Sequence, residues 1–346
     1  MKKILIFLIL LNCSVFGLNL YPINDKNGAG YITKEGKVKI EQKYDFAFRF
    51  NGNYAIVIKN SKYGIIDKNN NVVLDFIYEN LENLSDNIVT YKENGKYGFI
   101  DIKRKFKTKA VNDKIQKYQE GLIAVLIDDK WGFVDKYGKI KIEPKYFEVS
   151  NFKEGIAAFS YSKYKTDGFI NKKGDIIVQF KDNNASVREI TQGLYPYIES
   201  KDKSSSYVNK KGKIVLDKAK LYPIKSYCSG FYEGLSVFYI DDDPNFITTG
   251  YINKKGKIKY SLSFSIPKSV SEGEFSAFDN FNSNMAKITI DYKTGYINRK
   301  FKTQIPTIYE FARDFEGDLA YVKFQDKEGY INKKGTWIWQ KEREGM

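Results

Sequence analysis

From Lys130 onward the chain alternates. Trp131, Phe133 and Asp135 interleave with Gly132 and Val134, and after a polar break Ile140 and Ile142 interleave with Lys139 and Lys141. A period of two places successive side chains on opposite faces, so two short strands are predicted. In the break, Asp135 and Gly138 take the first and fourth positions of a type I turn, where the carboxylate accepts backbone N–H bonds and Gly supplies a positive φ. The pair should therefore close as a hairpin, with a bulge at Gly138. Pro144 has no N–H to share with a neighbour, so the second strand is expected to end there or to lie at a sheet edge. Gly155 then opens a third apolar run, Ile156 to Phe159.

The same pattern recurs along the chain. The core Trp131-Gly132-Phe133-Val134-Asp135 returns around Gly30, Gly64, Gly98, Gly168, Ser206, Gly250, Gly295 and Gly329, making nine copies at spacings of 34, 34, 34, 36, 38, 44, 45 and 34 residues. A second element recurs between them, as Asn51-Gly52, Glu120-Gly121, Gln192-Gly193, Glu233-Gly234 and Glu316-Gly317. The longest units carry insertions at Asp241 to Pro244 and from Ser261 to Asn280, which read as expanded loops of the kind that often form a binding edge. Two copies break the turn rule: Arg104 stands where Gly is expected, and Phe301 arrives one position early, so these hairpins should close differently. Asn70 in that role is milder, since Asn tolerates the left-handed region.

Three short strands cannot bury their own apolar faces, so neighbouring units must stack. Stacking in register would align Tyr31, Ile65, Phe99, Phe133, Phe169, Tyr207, Tyr251, Tyr296 and Tyr330 as a core ladder. The predicted class is all-β, an elongated, twisted β-solenoid of antiparallel hairpins. Unequal repeat lengths are easier to absorb along an open axis than in the alternative, a closed β-propeller-like array.

Residues 1–17 change the picture of location. Met1-Lys2-Lys3 and the apolar run Ile4 to Leu11 resemble the basic and hydrophobic regions of a signal peptide, too short to span a bilayer. Val15 and Gly17 suit cleavage before Leu18, leaving 18–346 as one array of about nine repeats. A lipid anchor at Cys13 is the competing outcome, although Asn12 departs from the small residue usual before such a cysteine. The protein is expected outside the cytoplasm: periplasmic, at the cell surface or secreted. After cleavage Cys228 is the single thiol, so no intramolecular disulfide can form.

Composition then narrows the chemistry. The chain has no histidine, which removes His-dependent triads, imidazole bases and His-rich metal sites. Glycines recur singly at turns, with no phosphate-binding loop, and no cofactor is expected. Carboxylate-pair catalysis stays formally open. Yet Asp67, Asp101 and Asp135 give way to Asn in five later copies, an exchange that keeps a turn acceptor and would abolish a nucleophile or base. Asp241-Asp242-Asp243 could collect Ca²⁺, but reads more simply as a solvated loop tip.

With Gly138, Pro144, Tyr146, Phe152, Glu154-Gly155 and Ala157, the unit at Lys130 to Asp135 resembles the bacterial WG (or KWG) repeat, and weaker matches cover most of residues 28 to 340. Tyr63 and Tyr97 replace the eponymous Trp, as do Asp167, Ser205, Thr249, Thr294 and Glu328 in the divergent later copies. The resemblance implies an all-β repeat protein of exported or multidomain bacterial proteins that mediates interactions, and it brings no agreed catalytic residues.

Formal net charge is +15, and the cations are ordered. The residue after each turn Asp, Asn or Thr is Lys34, Lys68, Ile102, Lys136, Lys172, Lys210, Lys254, Arg299 or Lys333. Stacked repeats would align the eight cations as a ridge, either guarding strand edges or docking a polyanion in a salt-dependent way. The expected function is a non-catalytic exported scaffold for protein–protein interaction in the cell envelope or beyond it. The alternative is a module that binds glycan or cell wall through exposed aromatics and this ridge; a polysaccharide-acting enzyme comes third. No nucleic-acid motif is present, and no nucleic-acid partner is expected.

Overall fold

The structure is a computed structural model that describes residues 19–343 except 164, 181–185, 188–190, 199–204, 218–220, 222–227, 244–245 and 266–277. The expected signal segment and Cys13 lie outside the described residues.

Among the described residues, nine antiparallel sheets follow one another in chain order, each with its strands in sequence. The fourth is representative: Lys114–Ile115, Leu122–Ile127, Lys130–Asp135 and Ile140–Tyr146. Its predicted hairpin forms, with Phe133 opposite Ala124 on one side and Ile142 on the other. The third predicted run, Ile156–Ser160, belongs to the next sheet, where Ala158 faces Phe169. Repeat and sheet are thus out of phase, and a repeat such as this one laces two sheets together.

The glycine of the repeat has a steric cause. Opposite Gly132 the edge strand bulges, and a Cβ there would lie 2.6 Å from the Ile142 carbonyl oxygen and 2.7 Å from the Pro144 nitrogen. Pro144 sits in that bulge on the outer strand, where a missing N–H costs no ladder bond.

Sheets pack face to face. Ladder residues Tyr31, Ile65, Phe99, Phe133, Phe169, Tyr207, Tyr251, Tyr296 and Tyr330 are all buried. An aromatic from the following sheet meets many of them: Phe50 lies 4.7 Å from Tyr31, Phe152 4.7 Å from Phe133, and Phe315 4.8 Å from Tyr296, ring centre to ring centre. Edge-to-face pairs of this kind add about 0.5–1.5 kcal/mol beyond the area they bury.

The array then closes on itself. Tyr21, Ile23 and Ile32 of the first sheet share a core with Leu319 and Tyr330 of the ninth. The Tyr21 hydroxyl donates to the Glu316 carbonyl at 2.9 Å, and the Tyr330 hydroxyl to the Pro22 carbonyl at 2.9 Å. The expected elongated solenoid is therefore corrected to a nine-bladed β-propeller. Unequal repeats do not prevent closure; part of the extra length lies in the longer strands of the seventh blade, Leu235–Asp243, Phe246–Asn253 and Ile258–Ser265. These run on past the shared core at Val237 and Tyr251. The expected loop at Asp241 is the end of a strand, with Asp243 paired to Phe246; its acidic side chains lie outside what is described.

The turns explain the Asp-to-Asn exchange. Asp135 Oδ1 accepts from the backbone N–H of Tyr137 and Lys139, and Asn253 Oδ1 accepts identically from Lys255 and Lys257. Phe301 corrects the expectation of a different closure. It occupies the glycine position itself, with φ 59°, and its N–H bonds the Asn298 carbonyl as glycines do elsewhere. Left-handed backbone costs a bulky residue about 1–2 kcal/mol. Stacking of Phe301 at 5.1 Å on Tyr260 offsets that. In the Arg104 copy the left-handed residue moves to Lys105, and Arg104 pairs with the buried Asp101 at 2.8 Å.

A candidate binding site at the ring seam

Closure turns the predicted ridge into a ring of cations, one at the same turn of each contributing blade. Several of them reach to the preceding blade. Lys172 donates to the Glu120 carbonyl at 2.9 Å and lies 3.1 Å from its carboxylate; Lys254 donates to the Gln192 carbonyl at 2.8 Å; Arg299 donates to the Glu233 carbonyl at 2.9 Å. Lys34 pairs with Asp318 at 3.6 Å, across the seam. Lys68 is half-buried, and burial pulls its pKa down. Lys136 lies over the Tyr137 ring and lines a smaller cavity of about 480 Å³ with Asp86, Asp101 and Arg104. Lys210 is exposed and Lys333 half-buried at equivalent turns. The ridge positions thus include interblade clasps, a role that sequence alone did not separate from a docking surface.

The partners of these cations belong to the second recurring element. Glu120, Glu154, Gln192 and Glu233 adopt positive φ, each followed by a glycine that does the same. Two successive left-handed residues make the tight hairpin turns that join twisted strands. The Glu120 carboxylate accepts from the backbone N–H of Glu154 and of Gly155. Gln192 Oε1 accepts from Gly234, Glu233 from Asn284, and Ser283 Oγ from Gly317. Each of these four turns therefore grips the next. Burial opposes the Glu120 charge, but hydrogen bonds from Lys172 and from the Gly155 and Glu154 N–H groups outweigh it and hold its carboxyl below the ordinary range. The recurrence of Glu-Gly was the available signal; its spacing alone did not say what the carboxylate touches.

At the seam the grip changes. Glu316 pairs instead with the guanidinium of Arg49, which reaches across from the second blade. Beside this pair opens a cavity of about 1060 Å³, lined by Phe46, Arg49, Arg313, Tyr321, Tyr330 and Trp339 among others. The Arg313 guanidinium lies over the rings of Tyr321 at 5.8 Å and Phe311 at 6.0 Å. Burial pushes the Tyr330 hydroxyl up to about 12, so it stays a neutral donor. Among the described residues, no cluster of three potential metal ligands occurs. The cavity offers aromatic faces, cations and strand backbone, a constellation suited to binding. The aligned aromatic ladder is core, as expected, and offers no exposed rings for stacking on a sugar.

A family model described as WG containing repeat matches residues 30–63, 63–97, 97–131, 131–162 and 295–327. No curated protein is matched by the sequence. Among solved structures, the crystal structure of a eukaryotic initiation factor aligns with a TM-score of 0.56 at 9% identity, over 94% of this chain and 96% of its own. Apo AztD from Citrobacter koseri aligns with a TM-score of 0.44 at 12% identity, over 82% and 92%. Hsv2p of Kluyveromyces lactis gives 0.40 at 11% identity, over 72% and 90%. At 9% identity the initiation-factor likeness is one of fold alone.

Proposed function

This chain belongs to the WG-repeat family, and from that premise we propose that it is an exported, non-catalytic scaffold that binds a protein partner at the seam of its ring. The seam cavity carries the reading. Where the turns at Glu120, Gln192, Glu233 and Ser283 each hold the turn of the next blade, Glu316 at the seam pairs with Arg49, beside aromatic rings and a second guanidinium. Arginine and aromatic side chains are the groups that concentrate binding energy at protein interfaces. Cleavage before Leu18 and a place in the cell envelope or outside the cell belong to the same proposal. So does the absence of catalysis, which is supported by the free exchange of turn Asp for Asn and by the lack of histidine.

Affinity capture from a cell-envelope extract, read by cross-linking and mass spectrometry, tests it. The expected result is a protein cross-linked near Arg49 and Arg313, with binding that falls as salt rises. Retention of glycans in place of protein, or cross-links confined to other blades, would overturn it.

A further inference from the structure

Eight of the nine sheets have backbone paired along the edge where the chain enters the blade. It is a short strand in most, such as Phe46–Ala47 and Phe311–Ala312, and a single bridge at Cys228 and at Phe278. In the first sheet, among the described residues, the edge of Tyr21–Asp25 away from Gly28–Ile32 has no such strand.

The filled edges show what this position takes. In the second blade the Phe48 N–H donates to the Ile56 carbonyl at 3.1 Å, and in the ninth the Arg313 N–H donates to the Tyr321 carbonyl at 2.8 Å. The ladder tyrosine of the preceding blade then bonds the entering strand: the Tyr31 hydroxyl donates to the Phe48 carbonyl at 2.7 Å, and the Tyr296 hydroxyl to the Arg313 carbonyl at 2.6 Å. Two residues further on, Phe50 or Phe315 covers that tyrosine ring. In the fifth blade Phe152 does the same to Phe133, and Glu154 follows it.

At the first blade the register puts Pro22 where Ile56 and Tyr321 stand, and Tyr330 where Tyr31 and Tyr296 stand. Here the Tyr330 hydroxyl donates to the Pro22 carbonyl itself, the acceptor that an entering strand uses elsewhere. Tyr330 and Pro22 both line the seam cavity. Arg313 stands at the same cavity, and no carboxylate among the described residues forms an ion pair with it.

We propose that this edge takes an extended segment of the partner protein, carrying an aromatic residue followed by a carboxylate, which completes the first blade. The inference rests on the binding reading above and names the occupant of that site. The incoming N–H takes the Pro22 carbonyl, and the Tyr330 hydroxyl turns to the incoming carbonyl. The aromatic covers the Tyr330 ring and the carboxylate meets Arg313. Main-chain bonds supply the affinity and the two side chains the specificity, as in other strand additions.

The test uses the exported protein purified from its host and a fluorescent peptide copying residues 147–155, which enters the fifth blade in the same way. Saturable binding is expected by anisotropy. It should weaken about tenfold or more when the peptide's Phe152 counterpart becomes Ala, and likewise with Arg313→Glu in the protein. Arg313 is exposed, so that variant should keep its melting temperature. Absence of binding, or binding indifferent to both changes, overturns the proposal. So does a purified protein that retains residues before Leu18 and binds peptide only once they are removed, since the edge would then be filled by its own chain. Partner capture with cross-links at the seam but no peptide binding would leave the scaffold reading standing and remove the strand mechanism.

Discussion

At the scale of single residues, the repeat is a set of positions whose chemistry is dictated by close approach. Gly132 is bare because the neighbouring strand's backbone fills the space of its side chain. Phe133 is buried between two blades against Phe152. Phe133→Ala should therefore cost roughly 3–5 kcal/mol. Thermal unfolding would read this, and a melting curve matching the parent would place the ring at the surface. Nearly all of this layer was legible beforehand, because strand period, turn chemistry and aromatic recurrence are local. Phe301 was misread because its left-handed backbone is sustained by Tyr260, a neighbour from another repeat.

Among the elements, the Glu-Gly turns add polar contacts to the apolar cores that join the blades. Glu120 is held below the ordinary carboxylate range, so its contribution is present above the unfolded-state pKa and is lost as pH falls through the folded one. Glu120→Ala should lower the melting temperature at neutral pH and make little difference once the parent carboxyl is protonated in acid. Equal losses at both pH values would assign the effect to packing. The clasp from Lys172 is largely exposed, so Lys172→Ala alone should cost only about 0.2–1 kcal/mol. A double-mutant cycle with Glu120→Ala should show coupling between the two. The carboxylates escaped the sequence reading since spacing locates a turn without revealing that the next blade's amides sit over it.

For the whole molecule, the decisive fact is that first and last blades share a core. Tyr21→Ala should open the seam, and hydrogen exchange should then rise first in the first and ninth blades; a uniform rise would mean the ring unfolds as one unit. Buried tyrosines add a limit at high pH. Burial raises the pKa of Tyr31, Tyr251 and Tyr296, and pushes Tyr91 and Tyr146 to about 12. Their contribution is full below pH of about 10 and is lost as pH rises through the folded values. Alkaline unfolding should therefore coincide with tyrosinate absorbance in one cooperative transition. Gradual ionisation without loss of structure would show that these hydroxyls reach solvent.

The chain's own pattern determined the strands, the hairpin turns, the aromatic core and the family, because each depends on neighbours a few residues away. Closure, the clasping role of Lys172 and Lys254, and the cavity beside Tyr330 depend on how the sheets rotate as they stack, and on which residues that rotation brings together from opposite ends of the chain. No local period records that angle, so only the tertiary structure could decide between an open array and a ring with a seam.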